Sequence, residues 1–309
     1  MASIEDLASL PMSRGQFLKL TTAACALMAT GAGAQTSPPI MHRRPIPVSG
    51  GTLPVVGCGT WQTFDDDPKR QDELAEVLRT LFASGGSLID SSPMYGAAEA
   101  VAGRLLTRID GHAKAFVATK VWTRGRQAGI DQMEESERLL QHRPIDLMQI
   151  HNLVDWRTQL ATLRDWKAQG RIRYLGVTHY TPSAYAELES VMRAEALDFV
   201  QINYSMDDRE AERRILPLAA ERRVAVIINR PFGGGGLIRS LQGRALPAWA
   251  ADIGCTSWAQ VLLKFVLGHH AVTAVIPGTG QVRHMADNVR AGFGEYPDDA
   301  LRRRMMAEL

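Results

Sequence analysis

The sequence predicts an α/β fold, a closed (β/α)8 barrel of the TIM type preceded by a β-hairpin. Three observations carry the prediction. Eight short apolar runs recur along the chain, helical patterns separate most of them, and no Gly-x-Gly-x-x-Gly turn follows the first run. An open dinucleotide-binding sheet would need that turn, whereas strands alternating with helices close naturally into a barrel. The runs are "VVGCGTW", "SLIDSS", "AFVATK", "IDLMQIH", "RYLGVTH", "DFVQINY", "VAVIIN" and "VTAVIPG". Each is too evenly apolar for a half-solvated strand, as expected of parallel strands buried on both faces. A length of 309 residues accommodates one such barrel, which typically takes about 250.

Residues 1–34 differ from everything after them. They carry a basic approach (Arg14, Lys19), an uncharged small-residue stretch, and Ala32-Gly33-Ala34 before Gln35. That is the layout of an export signal with an A-x-A cleavage site. "SRGQFLK" resembles a twin-arginine signal, degenerate in having Gly15 where the second arginine belongs. The expectation is a cleaved signal over 1–34, a single barrel domain over 35–309, and an exported, periplasmic protein. A cytoplasmic protein is the alternative if the signal does not function.

Beyond it, Gly50-Gly51 between two short strand-like runs predicts a hairpin. Asp67-Pro68 opens a helix as N-cap and first helical residue. Leu74, Val77, Leu78, Leu81 and Phe82 form its apolar stripe, and Gly85-Gly86 closes it. Thr181-Pro182 opens another helix in the same way. A later one carries Trp258, Val261, Leu262, Phe265 and Val266, and stops at Gly268. Cys58 and Cys255, on a strand and before a helix, are expected to be buried thiols.

Composition narrows the partners. Apolar residues make up 45% and charged residues 22%, as in a globular domain with a large core. A net charge of +2 with scattered arginines gives no reason to expect nucleic acid or an anionic membrane. No apolar run is long enough to span a bilayer. A monomer acting on a small molecule, without a bound metal, is the expectation.

In such a barrel the chemistry sits where strands end and their following loops begin. Reading those ends gives Asp90 after "SLI", Lys120 after "AFVAT" and His151 after "IDLMQI". Tyr95 lies just past Asp90, beyond a Ser-Ser-Pro turn. Any one of these is ordinary, but four titratable groups on one rim are not. In their order, "LIDSSPMYG", "VATKVW", "LMQIHN", "GRIRYLGV" and "VIPGT" resemble the motifs of the aldo-keto reductase family. The resemblance runs from about residue 45 to 288.

The resemblance implies a catalytic tetrad of Asp90, Tyr95, Lys120 and His151, and reduction of aldehydes or small ketones by hydride from NAD(P)H. Tyr95 would be the general acid, Lys120 would lower its pKa, Asp90 would hold Lys120 charged, and His151 would orient the substrate oxygen. NADPH is the implied cofactor, with NADH as the alternative. The residues matching the cofactor positions are Thr178, His179, Gln201, Asn229, Arg230, Pro231, Phe232, Gly233, Gly234, Leu237, Thr279, Arg283 and Asn288. Several depart from the family pattern. Thr178-His179 replaces a Ser-Asn pair, and Asn229 replaces the tyrosine that stacks on nicotinamide. Gly278 and His284 replace two basic residues at the 2′-phosphate, with Arg283 adjacent to substitute. Trp61, Trp122 and Trp156, all in loops after strands, are expected to wall a hydrophobic substrate pocket. Two other readings use the same barrel: a nicotinamide-binding sensor with little turnover, and an enzyme using Lys120 as a Schiff-base amine.

Overall fold

The computed structural model describes residues 40–308; the expected export signal lies outside them. Each apolar run supplies one barrel strand. After the hairpin strands β1 (Arg43–Pro45) and β2 (Thr52–Pro54) come β3 (Cys58–Gly59), β4 (Leu88–Asp90), β5 (Phe116–Val121) and β6 (Ile145–His151). They are followed by β7 (Ile172–Thr178), β8 (Phe199–Asn203), β9 (Ala225–Asn229) and β10 (Ala274–Val275). Strands β3 to β10 pair in sequence order, every pair parallel. Parallel bridges Val56–Val275 and Gly59–Gly278 join the first strand to the last, so the ring closes.

The helices Gln71–Ala83, Ala98–Arg108, Arg126–Leu140, Trp156–Ala168, Tyr185–Ala194 and Ile215–Arg222 follow β3 to β8 in turn. The predicted starts hold with one refinement. Asp67 accepts from the Lys69 amide at 2.9 Å, but residues Pro68–Arg70 form a 3₁₀ turn before the α-helix proper begins. Pro182 opens a 3₁₀ turn in the same way ahead of helix Tyr185–Ala194. Helix Trp258–Leu267 ends at Gly268, as expected. Cys58 and Cys255, the cysteines among the described residues, are buried and free. No helix among the described residues is long and apolar enough to cross a membrane.

Two apolar layers result. One lies between the strand ring and the helices. The other fills the lower bore of the barrel with Leu88, Phe116, Leu147, Phe199, Ile227 and their neighbours, and the hairpin closes it from below with Ile46 and Leu53. Phe116, Tyr174 and Phe199 pack ring on ring there, with centroids 5.4–6.1 Å apart. Side chains two apart on a strand share a face. One step above that plug the same strands therefore present Asp90, Lys120, Gln149, Gln201 and Asn229. The bore turns from apolar to polar within a single period.

Candidate active site

The polar tier is built around one buried ion pair. Lys120 Nζ lies 2.6 Å from Asp90 Oδ2, with the lysine side chain wholly buried and the aspartate 3% exposed. The ammonium also donates to the Ser91 carbonyl at 2.7 Å. The other carboxylate oxygen of Asp90 accepts from Gln201 Nε2 at 2.7 Å and Gln149 Nε2 at 3.3 Å. A buried pair is sustained only when its remaining donors and acceptors are met in this way. Burial by itself pulls the Lys120 pKa down, but Asp90 and Tyr95 beside it more than offset that and hold it above the usual lysine value. Lys120 is therefore a fixed cation and not a free amine, which disfavours a Schiff-base role.

The Ser-Ser-Pro turn explains how Tyr95 reaches this pair. The Tyr95 amide donates to the Ser92 carbonyl at 3.0 Å, and Gly96, at φ 62°, redirects the chain into helix Ala98–Arg108. The turn sets the phenol ring over Lys120, whose Nζ is 5.1 Å from the ring centroid. His151, at the end of β6, meets the same ring edge-on, with centroids 5.7 Å apart and planes at 85°. Burial drives the Tyr95 pKa up, Lys120 pulls it down, Asp90 pushes it up again, and the net position is above that of a free phenol. The expected net lowering by lysine is thus reversed, because desolvation outweighs the nearby cation. The His151 pKa is pushed down to about 2, by burial first and then by Lys120 and His179, so the imidazole is neutral.

Tyr95, His151 and Asp90 line a cavity of about 740 Å³. Of the expected cofactor residues, Thr178, Gln201, Asn229, Arg230, Pro231 and Phe232 line it, as do Gly234, Thr279 and Asn288. Gln201 is already committed in part, since its amide oxygen accepts from Thr178 Oγ1 at 3.2 Å while its nitrogen serves Asp90.

Four expected cofactor residues do not line the cavity, each for a visible reason. His179 turns its Nδ1 to the Tyr180 and Thr181 amides, at 3.0 and 3.3 Å, and stacks on the Tyr180 ring. Gly233 faces the Asp207 carboxylate. Leu237 is buried in the core. Arg283 donates to Gln281 Oε1 at 2.9 Å, and its neighbour His284 lines the cavity instead. Among the tryptophans, Trp61 lines the cavity, and Trp122 stands outside its lining with its ring 6.5 Å from His151. Trp156 does neither: it packs on the core at a helix start, with the Arg157 guanidinium 4.2 Å over its ring.

Sequence reading missed Gln149, Ser92, Tyr180 and Asp287. Gln149 had a signal, being two residues before His151 in an apolar strand and so on the same face. Tyr180 lines the cavity, 46% exposed, with the Arg230 guanidinium 5.7 Å over its ring. Asp287 also lines it, anchored by Ser257 and Gln260 at 2.7 and 2.5 Å.

Residues 55–304 match the aldo/keto reductase family. The chain belongs to this family. Methylglyoxal reductase YeaE of Escherichia coli K12 is 32% identical over 256 residues, covering 80% of this chain and 89% of that protein. An NADH-specific methylglyoxal reductase of the same organism is 25% identical over 244 residues, covering 68% and 73%. In fold the chain is similar to an aldo-keto reductase from Klebsiella pneumoniae in complex with NADPH. The TM-score is 0.72 at 22% identity, over 87% of this chain and 96% of that one.

As an aldo/keto reductase the protein is an oxidoreductase that needs a nicotinamide cofactor, and the residues present fit one. The cavity is lined both by Asp90, Tyr95 and His151 and by His284 and Asn288 on helix Val282–Arg290. Two of its lining residues, Asn152 and Asn229, have side-chain Oδ1 atoms that are buried without a hydrogen-bond partner. Buried acceptors left unpaired are costly, and a donor such as a carboxamide would satisfy them. Gly234 and Gly235 line the groove at φ 64° and 87°, and with Gly233 at φ 60° they form a left-handed run that side chains would strain.

Proposed function

We propose that this aldo/keto reductase reduces aldehydes and small ketones to alcohols, with Tyr95 as the proton donor. The observation that carries the reading is the buried Asp90–Lys120 pair directly beneath a phenol that opens on the cavity. A reduced nicotinamide, when bound, supplies the hydride to the carbonyl carbon. The oxygen then gains charge and takes the proton of Tyr95. A raised pKa keeps that proton on the phenol until charge develops. Once it leaves, the phenolate finds the fixed Lys120 cation beside it, which steadies the charge. Asp90 maintains that cation, and neutral His151 offers a hydrogen bond to the same oxygen. Residues Gln201, Asn229, Arg230, Thr279 and Asn288 would hold the cofactor along the groove.

NADPH is the proposed cofactor, with NADH as the alternative. The structural neighbour's NADPH supports the first and the NADH-specific relative the second. The two relatives named for methylglyoxal favour small reactive aldehydes, and exposed Trp61 at the mouth favours an apolar substituent. The test is NADPH oxidation, followed by absorbance, over a panel of aldehydes and ketones, with dissociation constants for NADPH and NADH. Turnover with tighter NADPH binding is expected; tighter NADH binding would reverse the cofactor choice, and no turnover on any carbonyl would end the reading. We also infer a monomer and export with the cofactor loaded beforehand. A mature chain starting near Gln35 in the periplasmic fraction is the expected result, and a full-length cytosolic chain the contrary one.

A further inference from the structure

Ser92 is wholly buried at the start of the turn that carries Tyr95, and none of the roles above uses it. Its Oγ lies 2.9 Å from His151 Nδ1 and accepts the Met94 amide at 3.3 Å. No other acceptor among the described residues lies within hydrogen-bond reach of that hydroxyl. A buried hydroxyl with one acceptor in reach gives its proton to it. The adjacent Ser91 is engaged elsewhere: its Oγ meets Thr60 Oγ1 at 2.9 Å and its carbonyl accepts from Lys120, while the hydroxyl at His151 Nδ1 is that of Ser92.

A neutral imidazole carries one proton, and the partner of one nitrogen decides where it sits. With Nδ1 accepting from Ser92, the proton is on Nε2. That nitrogen bonds to none of the described residues, and His151 lines the cavity. The geometry points to Ser92 as a positioning residue whose hydroxyl locks His151 in the Nε2–H tautomer, setting a donor toward the substrate oxygen. Burial and nearby Lys120 leave the ring uncharged, so its tautomer is the remaining variable. This assignment rests on the carbonyl-reductase reading and deepens it.

The test combines a spectrum with kinetics. In 15N-labelled protein the His151 ring, assigned by its loss in His151→Gln, shows the Nε2-protonated pattern. Ser92→Ala converts it to a mixed or Nδ1-protonated pattern and lowers kcat about tenfold, the worth of one neutral hydrogen bond. NADPH affinity is unchanged, and Ser92→Thr restores both pattern and rate. If Ser92→Thr does not fold by circular dichroism, the tautomer pattern of Ser92→Ala decides alone. An unchanged Nε2–H pattern with native kcat in Ser92→Ala overturns the assignment. A parallel Tyr95→Phe measurement separates the two claims. Native turnover in Tyr95→Phe removes the carbonyl-reductase reading itself, whereas an inactive Tyr95→Phe beside a fully active Ser92→Ala removes only the role of Ser92.

Discussion

The lower and upper halves of the barrel bore are lined by the same strands at the same period of two, yet they do opposite work. Below, Leu88, Phe116, Leu147, Phe199 and Ile227 make a dry plug that the hairpin seals. Above, Asp90, Gln149, Gln201 and Asn229 occupy the next positions facing the bore, and Lys120 the one after Ala118, all but Asn229 buried. The plug gains free energy from apolar burial, about 25 cal/mol for each Å² removed from water. The polar tier gains little by being buried and holds only because each charge has a partner. Stability should therefore respond to the lower half and chemistry to the upper, with Lys120 touching both.

The largest effect is expected at Lys120. Lys120→Met leaves the Asp90 carboxylate buried without its cation, and should cost about 3–5 kcal/mol of stability. It should also lower turnover by at least about 100-fold, the lesser end of general acid–base contributions. Chemical denaturation and NADPH oxidation would measure the two; a stable, active variant would dissolve the distinction drawn here. Phe199→Ala in the plug should lose a comparable about 3–5 kcal/mol through the cavity it leaves. Its kcat, measured on the folded fraction, should stay near native. A specific loss of kcat there would show that the plug positions the tetrad.

The pH profile sharpens the comparison further. His151 stays neutral down to about pH 2, so reduction should show no acid limb where a free imidazole titrates, about 6.5. With Tyr95 raised, the rate should also hold through the alkaline range up to the ordinary phenol value of about 10. Stability runs differently. The unfolded chain takes up the His151 proton near the ordinary value while the folded chain resists, so this residue's contribution is full above that value and lost as pH falls toward about 2. His151→Gln should flatten that part of the acid side of the stability curve. The smallest effect separates the tryptophans: Trp61→Ala should raise KM for an aromatic aldehyde several-fold, and Trp156→Ala should leave it unchanged.

Much of this was legible in the sequence because it followed from period and punctuation. The eight strands announced themselves by apolar runs, and the tetrad by titratable residues at the ends of those runs. What escaped depended on distance and rotation. Arg283 and His284 are one residue apart on a helix, about 100° of turn, and only packing decides which meets the cavity. Trp156 looked like a pocket wall because it follows β6, but a helix start can face the core as readily as the mouth. The sign of the Tyr95 shift depended on weighing burial against a cation, two effects whose sizes no motif carries. Ser92 gives no signal within its motif, because its partner His151 is 59 residues away.

The most direct test of the central claim is single-turnover reduction of an aromatic aldehyde by Tyr95→Phe, with NADPH affinity measured alongside. Intact cofactor binding with a rate lower by at least about 100-fold is the predicted result. A rate equal to that of the native protein would contradict it, and would leave the Asp90–Lys120 pair without a proton donor to serve.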